Sequence, residues 1–301
     1  SSSAMLKPAG LLRRVLGGLI PARRVTAKVI ATATPEGHLR IAPAYYLDGE
    51  EVPAEASLTG SDLLGHRFFL DDAAKALFAH LRREHSTIPA NQAVAVIQNL
   101  KTKRVPVIAR DGVDYVVEAG RFSGIVKTSG KERADVSTKL IAENGRTIPQ
   151  ATPIPTPGVV VTDRGIVTST CGTEVDAILS HSLAGTSVEG DSLAKVVKAI
   201  RSHPKQLGDV VLSDDLRSSQ VFDEKVQKRV TVTGSEDYVT LDESLVFQSR
   251  EDTRVAPSVE QVKEAIGLGR RFLPVPDGWV DAQAIPAGVM DRVLPEAPVR
   301  V

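Results

Sequence analysis

A chain of 301 residues with 42% apolar and 25% charged side chains has enough apolar material for one large domain or two ordinary ones with buried cores. Lys plus Arg and Asp plus Glu number 37 each, so no global field draws the molecule to nucleic acid and any charged site must be local. The single cysteine, Cys171, excludes an internal disulfide framework and a cysteine-based zinc site and fits a reducing compartment, with the cytoplasm as the expected location.

No apolar run approaches the roughly 20 residues that cross a bilayer, so no membrane partner is expected. Ser1 to Ala4 read as an expression remnant ahead of a natural start at Met5. From there to Pro35 the chain carries Lys7, Arg13, Arg14, Arg23, Arg24 and Lys28 and no acid. Leu11, Leu12, Val15, Leu16, Leu19 and Ile20 recur at helical spacing opposite Arg13 and Arg14, which predicts a basic amphipathic helix ending at Pro21. Such a helix binds a membrane surface, a targeting receptor or a nucleic-acid backbone, or else docks on the core by its leucine face with its arginines in water.

Val25 to Thr34 and Leu39 to Leu47 read as strands around the Pro35-Glu36-Gly37 turn. Asp71 is placed to cap a helix through Ala74, Leu77, Phe78 and Leu81, and a second helix is predicted from Asn91 to about Leu100. The basic run Lys101, Lys103 and Arg104 precedes a hairpin-like stretch turning at Asp111-Gly112, and a further strand includes Phe122 to Val126. Four prolines between Pro149 and Pro157 exclude regular structure and suggest the junction of two lobes, 5–148 and 158–301. The second lobe opens with a hairpin around Asp163-Arg164-Gly165, then a helix from Thr173 to His181. Asp191 is placed to cap a helix with Leu193, Val196, Val197 and Ile200 as its apolar stripe. Strands at Val226 to Thr233 and Tyr238 to Val246 flank Gly234-Ser235-Glu236, and Ser258 to Gln261 form a capping box that opens a last helix. The closing stretch from Gly269 reads as strand, tight turn, strand and short helix. Together the elements predict an α+β fold of mixed hairpins and short helices.

No complete catalytic constellation emerges. Gly124 to Glu132 resembles a phosphate-binding loop, but five residues separate Gly124 from Gly130 where four are needed, and Glu132 stands where a magnesium-binding hydroxyl belongs. Cys171 with His181 or His203 suggests a thiol nucleophile and base, against which stands the usual fate of a lone cysteine as a small buried apolar residue. The six histidines form no metal-ligand spacing, and the adjacent acid pairs diverge on either a helix or a strand. Neither a catalytic residue nor a metal or other cofactor is expected. Basic groups remain as site candidates: Arg13, Arg14, Arg23, Arg24, Lys101, Lys103 and Arg104 for DNA, with Lys127, Lys131, Arg133, Arg270 and Arg271 as further phosphate-contacting possibilities. Trp279 reads as a packing anchor of the closing hairpin.

The segment FLPVPDGWVDAQAIPAGVMDRVLP resembles one in the N-terminal regions of bacterial Swi/Snf-family helicase-like ATPases, and YYLDGEEV with FFLDDAAKALFAHL is similar to their accessory hairpin and helix. The ATP-binding loop, the Asp-Glu-x-His box and the arginine finger of that family are absent from this sequence, so no family catalytic residue carries over. The resemblance implies a non-catalytic accessory or regulatory region that recognises DNA or a protein partner, or docks on or restrains a C-terminal motor. Such ATPases are associated with anti-phage defence or DNA repair. The alternatives are a complete structural or assembly protein, phage-related or from a secretion system, that acts by self-association, and a hydrolase using Cys171.

Overall fold

The computed structural model describes residues 23–47, 49–51, 68–70 and 86–290. The expected helices at Leu11 to Ile20 and after Asp71 lie outside the described residues, as do Arg13, Arg14 and the chain beyond Met290. The fold is α+β, with helices set among three mixed sheets. Packing gathers the chain into two units, Ser1–Gly120 with Thr152–Ser169, and Arg121–Ala151 with Thr170–Val301.

In the first unit, β1 (Arg23–Ala33) and β2 (Leu39–Leu47) form an antiparallel hairpin with Ala27, Val29, Ala31, Leu39 and Ile41 turned to the core at strand period. Their turn needs Gly37: its φ is +85°, and a Cβ there would lie 2.5 Å from the Pro153 carbonyl oxygen. β3 (Glu50–Glu51) and β5 (Ser86–Ile88) pair with β2, while β4 (Phe68–Leu70) and β6 (Val107–Ile108) lie parallel to β1. Helix α1 (Ala90–Thr102) buries Ala90, Ala93 and Ile97 in this core. The predicted hairpin at Asp111-Gly112 forms in short form, with Ile108 bridged to Asp114, Ala109 N donating to Val113 O at 2.8 Å and Tyr115 N to Val107 O at 2.9 Å, while the other edge of β6 pairs with β1.

The strand expected at Phe122 to Val126 is the middle of a 15-residue strand, β7 (Val116–Gly130). In the first unit, Val116 to Ala119 of β7 pair in parallel with β10 (Gly165–Thr168), which forms the predicted hairpin with β9 (Val159–Thr162). The Tyr115 hydroxyl donates to Thr162 O at 2.8 Å, and Asp163 accepts from Ala33 N at 2.9 Å. These bonds and the seat of Pro153 on the Gly37 turn explain why residues 152–169 group with the first unit. The sequence suggests a single junction near Ile148 to Pro157, whereas packing divides the chain after Gly120, Ala151 and Ser169.

In the second unit, β8 (Arg133–Ala142) follows β7, with β11 (Thr186–Glu189) beside β8 and β12 (Asp209–Leu212) parallel to β7. A Cβ on Gly124 would lie 2.1 Å from Ser137 O. The glycine therefore serves close strand approach in the stretch that superficially resembles a phosphate loop. Helix α2 (Thr173–Ser182) packs on β8 and β11, and α3 (Asp191–Ser202) packs on α2 and β11 with Leu193, Val196 and Val197 buried. The short α4 (Pro204–Leu207) and α5 (Asp214–Arg217) flank β12.

The third sheet runs β15 (Arg254–Val255), β14 (Val239–Ser249), β13 (Gln220–Gly234), β17 (Gly278–Asp281), β16 (Phe272–Val275). Its core holds Phe222, Leu245, Phe247 and Val280, covered by Val259 and Val262 of α6 (Val259–Gly267). The capping box forms as expected: Gln261 N donates to Ser258 Oγ at 3.2 Å, and Ser258 N to Gln261 Oε1 at 3.0 Å. The closing hairpin is present, Trp279 is buried, and the short helix is a single 3-10 turn at Ala282–Ala284.

Candidate functional site

Arg23 and Arg24 open β1, where their backbones pair with Phe68 and Phe69. Lys101 lies in the last turn of α1, Lys103 caps it and Arg104 follows with φ +59°, its N–H donating to Lys101 O at 2.9 Å. All three are exposed. Parallel pairing of Val29 with Val107 means that the chain enters β6, just after Lys103 and Arg104, from the same end at which β1 begins with Arg23 and Arg24. The topology thus sets both basic runs ahead of parallel strands of one sheet, with Arg23 and Arg24 five or six residues before the paired Val29. The ion pair of Lys101 with Asp114 spans 3.8 Å between side chains 38% and 69% exposed, which contributes little in water. A cation in the last helical turn also suits the helix dipole, so Lys101 has a structural use as well.

Arg270 and Arg271 fare differently: they lie inside an ion network of the second unit. Asp281, 1% exposed, accepts from Arg271 Nε at 3.0 Å and Nη2 at 2.9 Å, from Lys198 Nζ at 2.8 Å and from Gln283 N at 3.0 Å. Burial pushes the Asp281 carboxyl up, yet the bonds from Arg271 and Lys198 outweigh it and hold the pKa below the usual carboxylate value. Lys198 also meets Asp223 at 2.8 Å; burial pulls its ammonium down, and the two carboxylates leave it raised. Arg270 reaches Glu132 at 3.0 Å and Asp191 at 3.8 Å. Asp191 does not cap its own helix as its position suggests. Gly190 takes the cap position, and the Asp191 carboxylate accepts from Arg271 N at 2.7 Å and Phe272 N at 3.1 Å.

Beside this network lies a half-open cavity of about 400 Å³. Lys198, Arg201 and Ser202 of α3 form one wall, Leu212, Arg217 and Val221 a second, and Asp223 with Ser249 to Glu251 the rest. Arg201 is fixed in place, its Nη2 donating to the carbonyls of Arg217 and Ser219. Sequence reasoning missed these cations because they are scattered over fifty residues. The available signal was the i, i+3 pair Lys198 and Arg201 beside the apolar stripe of α3.

Cys171 is buried, and its backbone N–H donates to Asp176 Oδ1 at 2.7 Å. Burial, with the Asp176 charge adding to it, pushes the thiol up to about 12. A thiolate nucleophile needs the opposite shift. Asp176 itself is raised, by burial against the opposing Cys171 N–H and the His203 charge. The described residues hold no group of three or more His, Cys, Asp or Glu arranged to bind a metal ion. No helix among them is long and apolar enough to cross a membrane. No protein family, curated protein or solved structure shows a significant match to this chain.

Proposed function

We propose that this chain is a non-catalytic accessory region of a DNA-dependent, helicase-like ATPase and contacts the DNA backbone through its basic residues, Arg13, Arg14, Arg23, Arg24, Lys101, Lys103 and Arg104. The supporting observation is that Lys101, Lys103 and Arg104 are all exposed where the chain leaves α1 and turns toward β6, which runs parallel to the strand that Arg23 and Arg24 open. Cations presented from a helix end and the turn after it track phosphates without reading bases, which is the contact a regulatory region needs to register the presence of DNA. Duplex binding should weaken with added salt. Replacing Lys101, Lys103 and Arg104 together by Ala should lower the slope of log affinity against log salt by up to about 3, near 0.9 for each phosphate that is no longer neutralised. Binding that is indifferent to salt, or an unchanged slope in the triple variant, contradicts the reading.

A second reading, self-association, is favoured by the distal part of the β13–β14 hairpin. Beyond Phe222 and Phe247, which pair with β17 and β15, Val230 to Gly234 and Val239 to Glu243 have no further strand beside them among the described residues. One ribbon face carries Val230, Val232, Val239 and Leu241, with Val232 64% exposed and Tyr238 exposed at the tip. A two-stranded ribbon is marginal alone, and an exposed apolar face of this kind is a contact surface. Across the ribbon Lys228 pairs with Glu243 of the same chain at 2.8 Å. Light scattering decides: a dimer that Val232→Glu dissociates supports this reading, and a monomer at high concentration removes it.

A further inference from the structure

We propose that the cavity between α3, α5 and the 249–253 turn binds a small phosphate monoester that carries hydroxyl groups. The site lies wholly in the second unit and is independent of the DNA-contacting residues. Four cations line it, Lys198, Arg201, Arg217 and Arg250, against two acids, Asp223 and Glu251.

The cations divide into a fixed pair and a yielding pair. Lys198 is held by Asp223 and Asp281, and Arg201 by two backbone carbonyls, so their positions are set before any ligand arrives. Arg217 and Arg250 have side chains 66% and 59% exposed, and their carboxylate partners stand at 3.4 and 4.0 Å, toward the outer limit of an ion pair. Such pairs give way readily to a better anion. A phosphate dianion offers two charges and three acceptor oxygens, which matches guanidinium forks better than the single carboxylates they now face.

Ser249 adds a donor. Its Oγ already accepts from Glu251 N at 3.2 Å and Thr253 N at 3.3 Å, which leaves the buried hydroxyl its proton to give to a ligand oxygen. Leu212 and Val221 supply an apolar wall for a carbon skeleton. Glu251 repels a phosphate close to it but accepts from a ligand hydroxyl, as it now accepts from Gln220 Nε2 at 3.0 Å. Glu251 Oε1 also stands 3.8 Å from Arg201 Nη1, so the phosphate falls to the yielding Arg217 and Arg250 and a ligand hydroxyl to Glu251. A volume of about 400 Å³ suits a ligand of that size.

Calorimetric titration of the full chain with ribose 5-phosphate tests the proposal, with ribose and a 5′-hydroxyl oligonucleotide as the other arms. Ribose 5-phosphate should bind in the millimolar range or tighter and ribose should give no heat. The double variant Arg217→Glu/Arg250→Glu should bind at least about tenfold more weakly, the loss expected on reversing two charge-assisted contacts. Both side chains are exposed, so an unchanged melting temperature shows that the variant is folded. Absence of binding to ribose 5-phosphate overturns the proposal, as does an affinity the double variant leaves intact. Equal binding of the oligonucleotide that survives loss of Lys101, Lys103 and Arg104 also overturns it, by making the cavity a backbone contact. Failure of the triple variant to alter DNA binding bears on the accessory-region reading and leaves this one standing.

Discussion

Arg270-Arg271 and Lys101 to Arg104 look alike in the sequence, two short basic runs beside a helix end, and the fold uses them in opposite ways. The first pair meets carboxylates at 2.9 to 3.0 Å, one of them a buried aspartate, and joins the closing hairpin to α3 and to the β7–β8 turn. The second run faces water with one partner at 3.8 Å. A cation is committed to the fold when a buried acid waits for it, and left available for a ligand when only exposed acids are near. Composition cannot show this, because the partners Glu132, Asp191 and Asp281 come from three distant segments.

The largest effect expected from that contrast is at Asp281. Asp281→Ala strands Arg271 and deprives Lys198 of one of its two carboxylates in a half-buried site, and should cost about 3 to 5 kcal/mol in urea unfolding. Asp114→Ala removes the partner of Lys101 and should cost no more than about 0.5 kcal/mol. Equal costs would erase the distinction between the two runs. Next in size is Gly278→Ala, which attacks the same network through the backbone. Its φ is +142°, and a Cβ there would lie 1.9 Å from Gln220 O, so β17 must leave β13 and take Asp281 with it. A loss of about 2 to 4 kcal/mol is expected, the sum of a strained conformation and a broken approach. Gly130→Ala is the control, since its Cβ would meet only the Arg133 Cβ at 3.7 Å.

Local chemistry is legible in the sequence and long-range pairing is not. The β1–β2 hairpin, the apolar stripe of α3 and the Ser258 capping box all follow from residues a few positions apart, and each appears where its spacing places it. Asp191 misleads because cap position is a local signal and its actual partners, the N–H groups of Arg271 and Phe272, are eighty residues away. The same holds for β6: its short hairpin at Asp111-Gly112 follows from the local turn, and its parallel pairing with β1, far back in the chain, does not. That Arg23-Arg24 and Lys103-Arg104 precede parallel strands of one sheet depends on that pairing, so the basic residues are visible in the sequence and their shared sheet is not. The cavity is hidden for a similar reason: its cations come from α3, α5 and the turn after β14.

The ion network also makes stability depend on pH in a calculable direction. Asp281 has a folded pKa below its unfolded value of about 4, so its contribution is present above that value and is lost as pH falls through the lower folded one. Lys198 has a folded pKa above its unfolded value of about 10.4, so its contribution is present below that and is lost as pH rises through the higher one. The difference in urea midpoint between the native protein and Asp281→Asn should therefore stay flat through neutral pH and shrink below about pH 4. Asp176 runs the other way. Its raised pKa means that the ionised form costs stability at neutral pH, a cost that disappears as the group is protonated in acid. Asp176→Asn keeps an acceptor for the Cys171 N–H, and the variant should be at least as stable as the native protein at pH 7, with no advantage in acid.

A substitution expected to leave stability intact or improved sits in the exposed run and separates fold from function most directly. Arg104 holds a left-handed backbone conformation, φ +59°, just past the end of α1, where glycine is the usual occupant. A side chain in that region carries a steric cost, partly offset by the greater entropy glycine loses on folding. Arg104→Gly should leave stability unchanged or raise it by up to about 1 kcal/mol. If Arg104 contacts phosphate, the same substitution should weaken DNA binding and lower the salt slope by about 1. A variant that folds better and binds worse identifies Arg104 as a residue retained for its charge. If it folds worse and binds unchanged, Arg104 belongs with Arg270 and Arg271 as a part of the scaffold.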